Sequence, residues 1–92
     1  MAIINKIILY DLGTVKSIEE KQLLAFAKHL KQLRQQYGFT QETLSGASGL
    51  DLSHIARIET ARRNPKLTTL IILAEGMKIP LSELLDFRVS KK

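Results

Sequence analysis

The sequence predicts an all-α fold, a compact bundle of five helices preceded by an N-terminal arm. Apolar residues recur every three or four positions along most of the chain, as expected for helices that bury one side. Helix-starting and helix-ending residues interrupt this pattern at Ser17, Gly38, Gly49 and Pro80. A chain of 92 residues is long enough for one domain with its own core.

Composition limits the possible functions. The chain has no cysteine, which excludes disulfides, thiolate metal sites and cysteine nucleophiles. No apolar run approaches the ~20 residues of a membrane span, and the apolar start lacks the basic residues and cleavage site of a signal peptide. We therefore expect a cytoplasmic protein with no membrane partner.

The positive charge is concentrated in one place. The net charge of +5 fits a polyanionic partner without requiring one. Arg57, Arg62, Arg63 and Lys66 lie close together in the sequence, opposed only by Glu59. Such a basic run is typical of contacts with phosphates.

Residues 1–16 form the predicted N-terminal arm. Their isoleucines fit either a strand or one face of a short helix, and Gly13 and Thr14 interrupt both patterns. The arm either packs loosely on the body or pairs with a second subunit, which would remove the isoleucines from water.

The body of the domain is predicted to span residues 17–88. Ser17 and Glu20 form a capping box that starts helix 1, over Ile18 to Tyr37. Its predicted core positions are Leu23, Leu24, Ala27, Leu30, Leu33 and Tyr37. The remaining helices are predicted at residues 41–48, 52–61, 67–77 and 81–87, and residues 89–92 form a polar tail.

Residues 41–60 carry the most informative pattern. Thr40 and Asp51 are suitable N-caps for two short helices, and Gly49 supplies the left-handed backbone of a tight corner between them. Leu50 plugs that corner, and Ile55 and Ile58 give the second helix an apolar side. Two helices joined in this way form a helix-turn-helix motif.

Together with its flanks, this stretch resembles the phage repressor and Cro (XRE-like) family of transcriptional regulators. The resemblance covers residues 23–87 and includes LKQLRQQYGFTQETL before the corner and RIETARRNPKLTTLIILAEGMKIPLSELL after it. It implies a lambda-repressor-like DNA-binding domain. It also implies a homodimer that binds double-stranded DNA, with repression as the expected effect and helix 3 in the major groove.

The resemblance also implies roles for individual residues. By matching position, Gln41, Thr60, Arg62 and Arg63 are expected to contact phosphates. Leu52, Ser53, Ala56 and Arg57 are expected to face the groove. There Arg57 either forms a bidentate contact with guanine or is only another phosphate ligand. His54 either reaches a phosphate or a base, or is simply solvated.

Three further residues have structural or alternative interpretations. Arg34 and Glu59 match an ion pair that joins helix 1 to helix 3 in family members. Leu52 stands where the family usually has a polar residue. Its side chain could contact a thymine methyl group, belong to the core or face a partner.

No catalytic arrangement is visible, since His29 and His54 lie on different predicted helices and no metal-binding spacing or phosphate loop occurs. We therefore expect no enzyme activity, no metal and no cofactor. The alternative to a DNA-binding regulator is a protein-interaction module, such as an antitoxin that neutralises a toxin, with the N-terminal arm as its contact.

Overall fold

A computed structural model describes the chain from residue 2 to residue 89, with side chains described from Ile18 onward, and residues 2–89 are arranged as an all-α fold. The five helices of this part are α1 (Ala2–Gln36), α2 (Gln41–Ser48), α3 (Leu52–Glu59), α4 (Leu67–Met77) and α5 (Leu81–Leu84). The predicted fold class is confirmed, and residues 2–89 contain no strand. None of these helices is both long and apolar enough to cross a membrane.

Helix α1 differs most from the sequence analysis. It runs without a break from Ala2 to Gln36, so the predicted start at Ser17 and its capping box are wrong. Gly13 does not interrupt the helix, because one glycine inside a helix costs only about 1 kcal/mol. At 1.5 Å per residue, 35 residues extend about 52 Å, close to the longest dimension of the molecule, 55 Å.

The hydrophobic core receives side chains from all five helices. Its largest fully buried members are Leu30, Leu44, Ile55, Ile58, Leu73 and Leu84. Two of the core residues predicted for helix 1 are exposed instead, Leu24 by 56% and Tyr37, which follows the end of α1, by 41%. Phe26, which the sequence analysis did not place in the core, is buried and packs edge-on against Phe87 at a ring-centroid distance of 5.6 Å.

Helix α2 begins and ends as predicted. Thr40 caps it through a capping box with Thr43, and Gly49 ends it in the left-handed conformation with φ 79°. The hydroxyl of Ser45 donates to the carbonyl oxygen of Leu50 at 2.5 Å, which closes the corner before α3. The prediction for Asp51 is only partly right, since it occupies the N-cap position but its side chain makes no capping hydrogen bond.

Helices α2 and α4 approach each other closely at Gly76. A Cβ atom built on Gly76 would lie 3.0 Å from the Cβ of Ser48 and 3.2 Å from its Cα. Only glycine therefore fits at this point of α4 without a shift of the α2 backbone.

Two helices are shorter than predicted. Helix α3 ends at Glu59 because Ala61 adopts a left-handed conformation, with φ 58°, and turns the chain away. Helix α5 ends at Leu84 rather than at Phe87, and Leu85 is its C-cap residue. Helix α4 has its predicted bounds.

Candidate nucleic-acid interface

Helix α3 has one buried face and one exposed face. Ile55 and Ile58 are almost completely buried in the core. Ser53, Arg57 and Thr60 are exposed, and at 100° per residue they lie on the opposite side of the helix. The structure therefore brings two of the four predicted groove-facing residues, Ser53 and Arg57, onto one open surface with Thr60.

Leu52, Ala56 and His54 lie at the edges of this surface. Leu52 is 42% exposed, so the interpretation of Leu52 as a core residue is wrong. Ala56 is half-buried one turn further along the same edge. His54 is also half-buried, but the helical rotation places it on the other edge, away from Leu52.

A buried ion pair lies beneath the exposed face. The Arg34 Nε donates to Glu59 Oε2 at 2.6 Å, and a second guanidinium nitrogen donates to Oε1 at 3.1 Å. The remaining terminal nitrogen of Arg34 donates to the carbonyl oxygen of Phe39 at 2.8 Å. With the two side chains only 9% and 3% exposed, the bidentate pair fixes α3 against α1.

Gln41 joins the same network from the first turn of α2. Its Nε2 donates to Glu59 Oε1 at 3.1 Å. One carboxylate thus holds side chains from α1 and α2 and orients the amide of Gln41 at the start of α2. This bond could not be predicted from the sequence, because nothing in the spacing of residues 41 and 59 indicates it.

The charge on the surface after α3 has a single sign. Arg57, Arg62, Arg63 and Lys66 are all exposed. Glu59 is the only acidic residue between positions 57 and 66, and its carboxylate is buried against Arg34. This segment therefore presents four cations to solvent and no carboxylate, an arrangement that attracts phosphates.

Lys66 extends the basic surface beyond the predicted site residues. It is exposed at the N-cap position of α4. Its place in the basic run had indicated phosphate contacts, although Lys66 was not among the residues matched by position to the family.

Thr60 is less available than the arginines for a contact with a phosphate. Its hydroxyl donates to the carbonyl oxygen of Ala56 at 3.0 Å, and the carbonyl oxygen of Arg57 also lies within hydrogen-bond distance of this hydroxyl, at 3.2 Å. Its backbone N–H also bonds the carbonyl oxygen of Ala56. Thr60 would have to release its hydroxyl bond before it could donate to a phosphate.

The end of α1 is tied to α5 away from this surface. The Tyr37 hydroxyl donates to the Glu83 carboxylate, and this hydrogen bond raises the pKa of Tyr37 above its ordinary value. The Nε2 of His29 lies 2.9 Å from the carbonyl oxygen of Glu83. His29 therefore has a hydrogen-bonding partner within the fold.

A capped helix, a tight glycine corner and an open second helix flanked by unopposed cations define a helix-turn-helix domain of the DNA-binding class. Residues 30–84 match the family model HTH_3, helix-turn-helix. The match covers more than half of the chain, and the chain belongs to this family of transcriptional regulators, which are not enzymes. The resemblance seen in the sequence is confirmed.

Known proteins resemble part of the chain. An uncharacterised HTH-type transcriptional regulator of Haemophilus influenzae is 42% identical over 68 residues, covering 73% of this chain and 69% of the relative. The HTH-type transcriptional regulator SutR of Escherichia coli is 38% identical over 53 residues, which are 58% of this chain but only 30% of SutR.

The same likeness extends to a solved structure. The restriction-modification controller protein C.AhdI from Aeromonas hydrophila is 39% identical, with a TM-score of 0.65. The superposition covers 67% of this chain and 94% of C.AhdI.

Proposed function

We propose that the protein is a homodimeric, sequence-specific regulator that binds double-stranded DNA with α3 in the major groove of each operator half-site. In its simplest form it is a repressor that covers a promoter site. The observation that carries this proposal is the exposed face of α3, which carries Arg57 and is followed by the exposed cations Arg62, Arg63 and Lys66, with the one nearby carboxylate buried. Membership of a family of transcriptional regulators supports it.

Two sets of residues perform different parts of the binding. Arg62 and Arg63 are exposed just beyond the end of α3 and neutralise phosphates. Gln41 donates to a phosphate with the amide hydrogen that Glu59 does not use, helped by its place at the N-terminus of α2, where an anion is favoured. These contacts fix the position of α3 on the duplex.

The reading of base sequence depends on the open face of α3. Arg57 is exposed and one turn from Ser53, so both side chains can reach base edges together. The guanidinium of Arg57 can donate two hydrogen bonds to one guanine, a contact worth about 1–3 kcal/mol of discrimination. Ser53 accepts or donates one bond, and His54 lies at the edge where it can reach the backbone.

A homodimer follows from the small number of contacts that one α3 can make. A single helix reads only a few base pairs, too few to select one site in a genome. Two copies related by a twofold axis place their helices about 34 Å apart, one turn of the duplex.

Helix α4 offers the surface for such a dimer. Leu67, Ile71 and Ile72 are exposed on its outer face, and Leu85 is exposed just after α5. Exposed apolar residues in such a group are typical of a surface covered by a partner. Residues 2–16 extend α1 and are a further candidate for contact with the second copy. A toxin bound to the same surfaces is the competing explanation.

Selection from random duplex DNA, followed by titration at several salt concentrations, tests the proposal. We expect a preferred sequence with twofold symmetry, and an affinity that falls steeply as salt rises. Failure to enrich any sequence, or an affinity independent of salt, would contradict it.

Light scattering at micromolar protein tests the dimer separately. We expect the mass of a dimer for the parent and a lower mass for Ile71→Glu. Leu52→Glu is the matched control, because it introduces the same charge at an exposed apolar position away from α4. A monomer with and without DNA would rule the dimer out.

A further inference from the structure

The exposed face of α3 carries a leucine that the fold does not use. Leu52 is the first residue of α3 and is 42% exposed. Leu44 and Ile55, which lie before and after it in the motif, are completely buried. The Leu52 side chain is therefore not part of the hydrophobic core and stands on the surface that faces DNA in the proposed function.

The neighbours of Leu52 restrict what it can contact. Ala56 follows it one turn later on the same edge, and Glu59 one turn after that, where its carboxylate is occupied by Arg34 and Gln41. This edge of the exposed face is therefore apolar at residues 52 and 56, whereas Ser53 and Arg57 make the middle of the face polar.

Base pairs in the major groove present hydrogen-bonding groups and one apolar group, the 5-methyl group of thymine. An aliphatic side chain cannot pair with the hydrogen-bonding groups and would leave them without a partner. Such a side chain makes the free energy of binding more favourable only where it removes a methyl group from water.

We propose that Leu52, with Ala56 beside it, selects a thymine in each half-site by apolar contact with the 5-methyl group. The inference rests on the proposed function and adds the identity of one base to it. Arg57 reads guanine from the middle of the same face, so the two residues select different bases.

Deoxyuridine provides a direct test, because it differs from thymidine only by the missing 5-methyl group. In the sequence obtained by selection, each thymine is replaced by deoxyuridine, one symmetric pair at a time, and the dissociation constant is measured. Burial of one methyl group corresponds to about a fourfold change in affinity, and the symmetric pair to about fifteenfold.

We expect one such thymine position for the parent protein. Leu52→Ala is expected to bind the thymine site more weakly and to bind the thymine and deoxyuridine sites equally. Leu24→Ala is the matched control, since it truncates another exposed leucine, on α1, outside both the DNA-binding face and the proposed dimer surface, and is expected to keep the full thymine preference.

Two results would overturn the inference while leaving the proposed function intact. One is a preferred sequence in which no thymine can be replaced by deoxyuridine with a loss of affinity. The other is a Leu52→Ala variant that keeps the preference for thymine. Enrichment of no sequence at all would overturn both proposals.

Discussion

Replacement of Arg34 by alanine tests the buried ion pair that holds α3 in place. The change removes two hydrogen bonds to Glu59 and one to the carbonyl oxygen of Phe39. The Glu59 side chain, 3% exposed, would keep only its bond from Gln41. A buried carboxylate without a cationic partner is strongly unfavourable, because water no longer solvates it.

The magnitude follows from the burial of both partners. Breaking a buried ion pair from one side costs about 3–5 kcal/mol, a large part of the roughly 5–15 kcal/mol that stabilises a typical domain. For a domain of this size each kcal/mol lowers the melting temperature by about 4–8 °C, so we expect Arg34→Ala to melt at least about 12 °C below the parent.

Thermal denaturation followed by circular dichroism measures the effect. Arg63→Ala, which removes an exposed arginine, is the matched control and is expected to melt within a few degrees of the parent. The double variant Arg34→Met, Glu59→Leu fills the site with apolar side chains and is expected to recover most of the lost stability. An Arg34→Ala protein that melts like the parent would refute the reasoning.

Three further predictions address packing, ionisation and binding. Gly46→Ala is expected to stabilise the protein by about 0.5–1 kcal/mol, because a Cβ at this position of α2 meets no atom within 4 Å. Gly76→Ala is expected to lower the melting temperature, because its Cβ would meet the α2 backbone. The absorbance of tyrosinate is expected to show that Tyr37 titrates above its ordinary pKa, because the Glu83 carboxylate stabilises the protonated hydroxyl. Glu83→Gln is expected to lower the pKa of Tyr37, and a titration unchanged by this substitution would contradict the hydrogen bond. The same raised pKa favours the folded state below the ordinary tyrosine pKa, and this contribution is lost as the pH rises through the folded-state value. Arg63→Ala is expected to weaken binding to all DNA sequences about equally and to reduce the logarithmic salt slope by about one unit per subunit, and an unchanged slope would exclude a phosphate contact.

The helix-turn-helix itself could be predicted because each of its signals acts locally. Thr40 caps α2, and Gly49 supplies a positive φ that other residues adopt only with strain. Ile55 and Ile58 could be assigned to the core because they are apolar and lie on the same side of a short helix.

Predictions that depended on distant contacts were less reliable. The capping box at Ser17 was locally favourable, yet the helix continues through it. Leu24 and Phe26 are both apolar, and the packing of α1 against the rest of the domain, including Phe87, determines which of them is buried. The bond between Gln41 and Glu59 depends on how α2 crosses α3.

The end of α3 was predicted too far along the chain for a related reason. Alanine favours helix, and a left-handed alanine costs roughly 1–2 kcal/mol. The surrounding structure imposes that conformation on Ala61, whose N–H bonds the carbonyl oxygen of Ile58. The left-handed conformation of Ala61 could not be predicted from the residue itself, because it depends on this surrounding structure.

The central claim is that α3 reads bases through Arg57, and parallel selections from random DNA test it most directly. The parent, Arg57→Ala and Arg63→Ala proteins are each used to enrich a preferred sequence. We expect Arg63→Ala to select the parent sequence with lower affinity, and Arg57→Ala to lose the preference at one base pair of each half-site while remaining folded. If Arg57→Ala selects the parent sequence unchanged, Arg57 does not read bases.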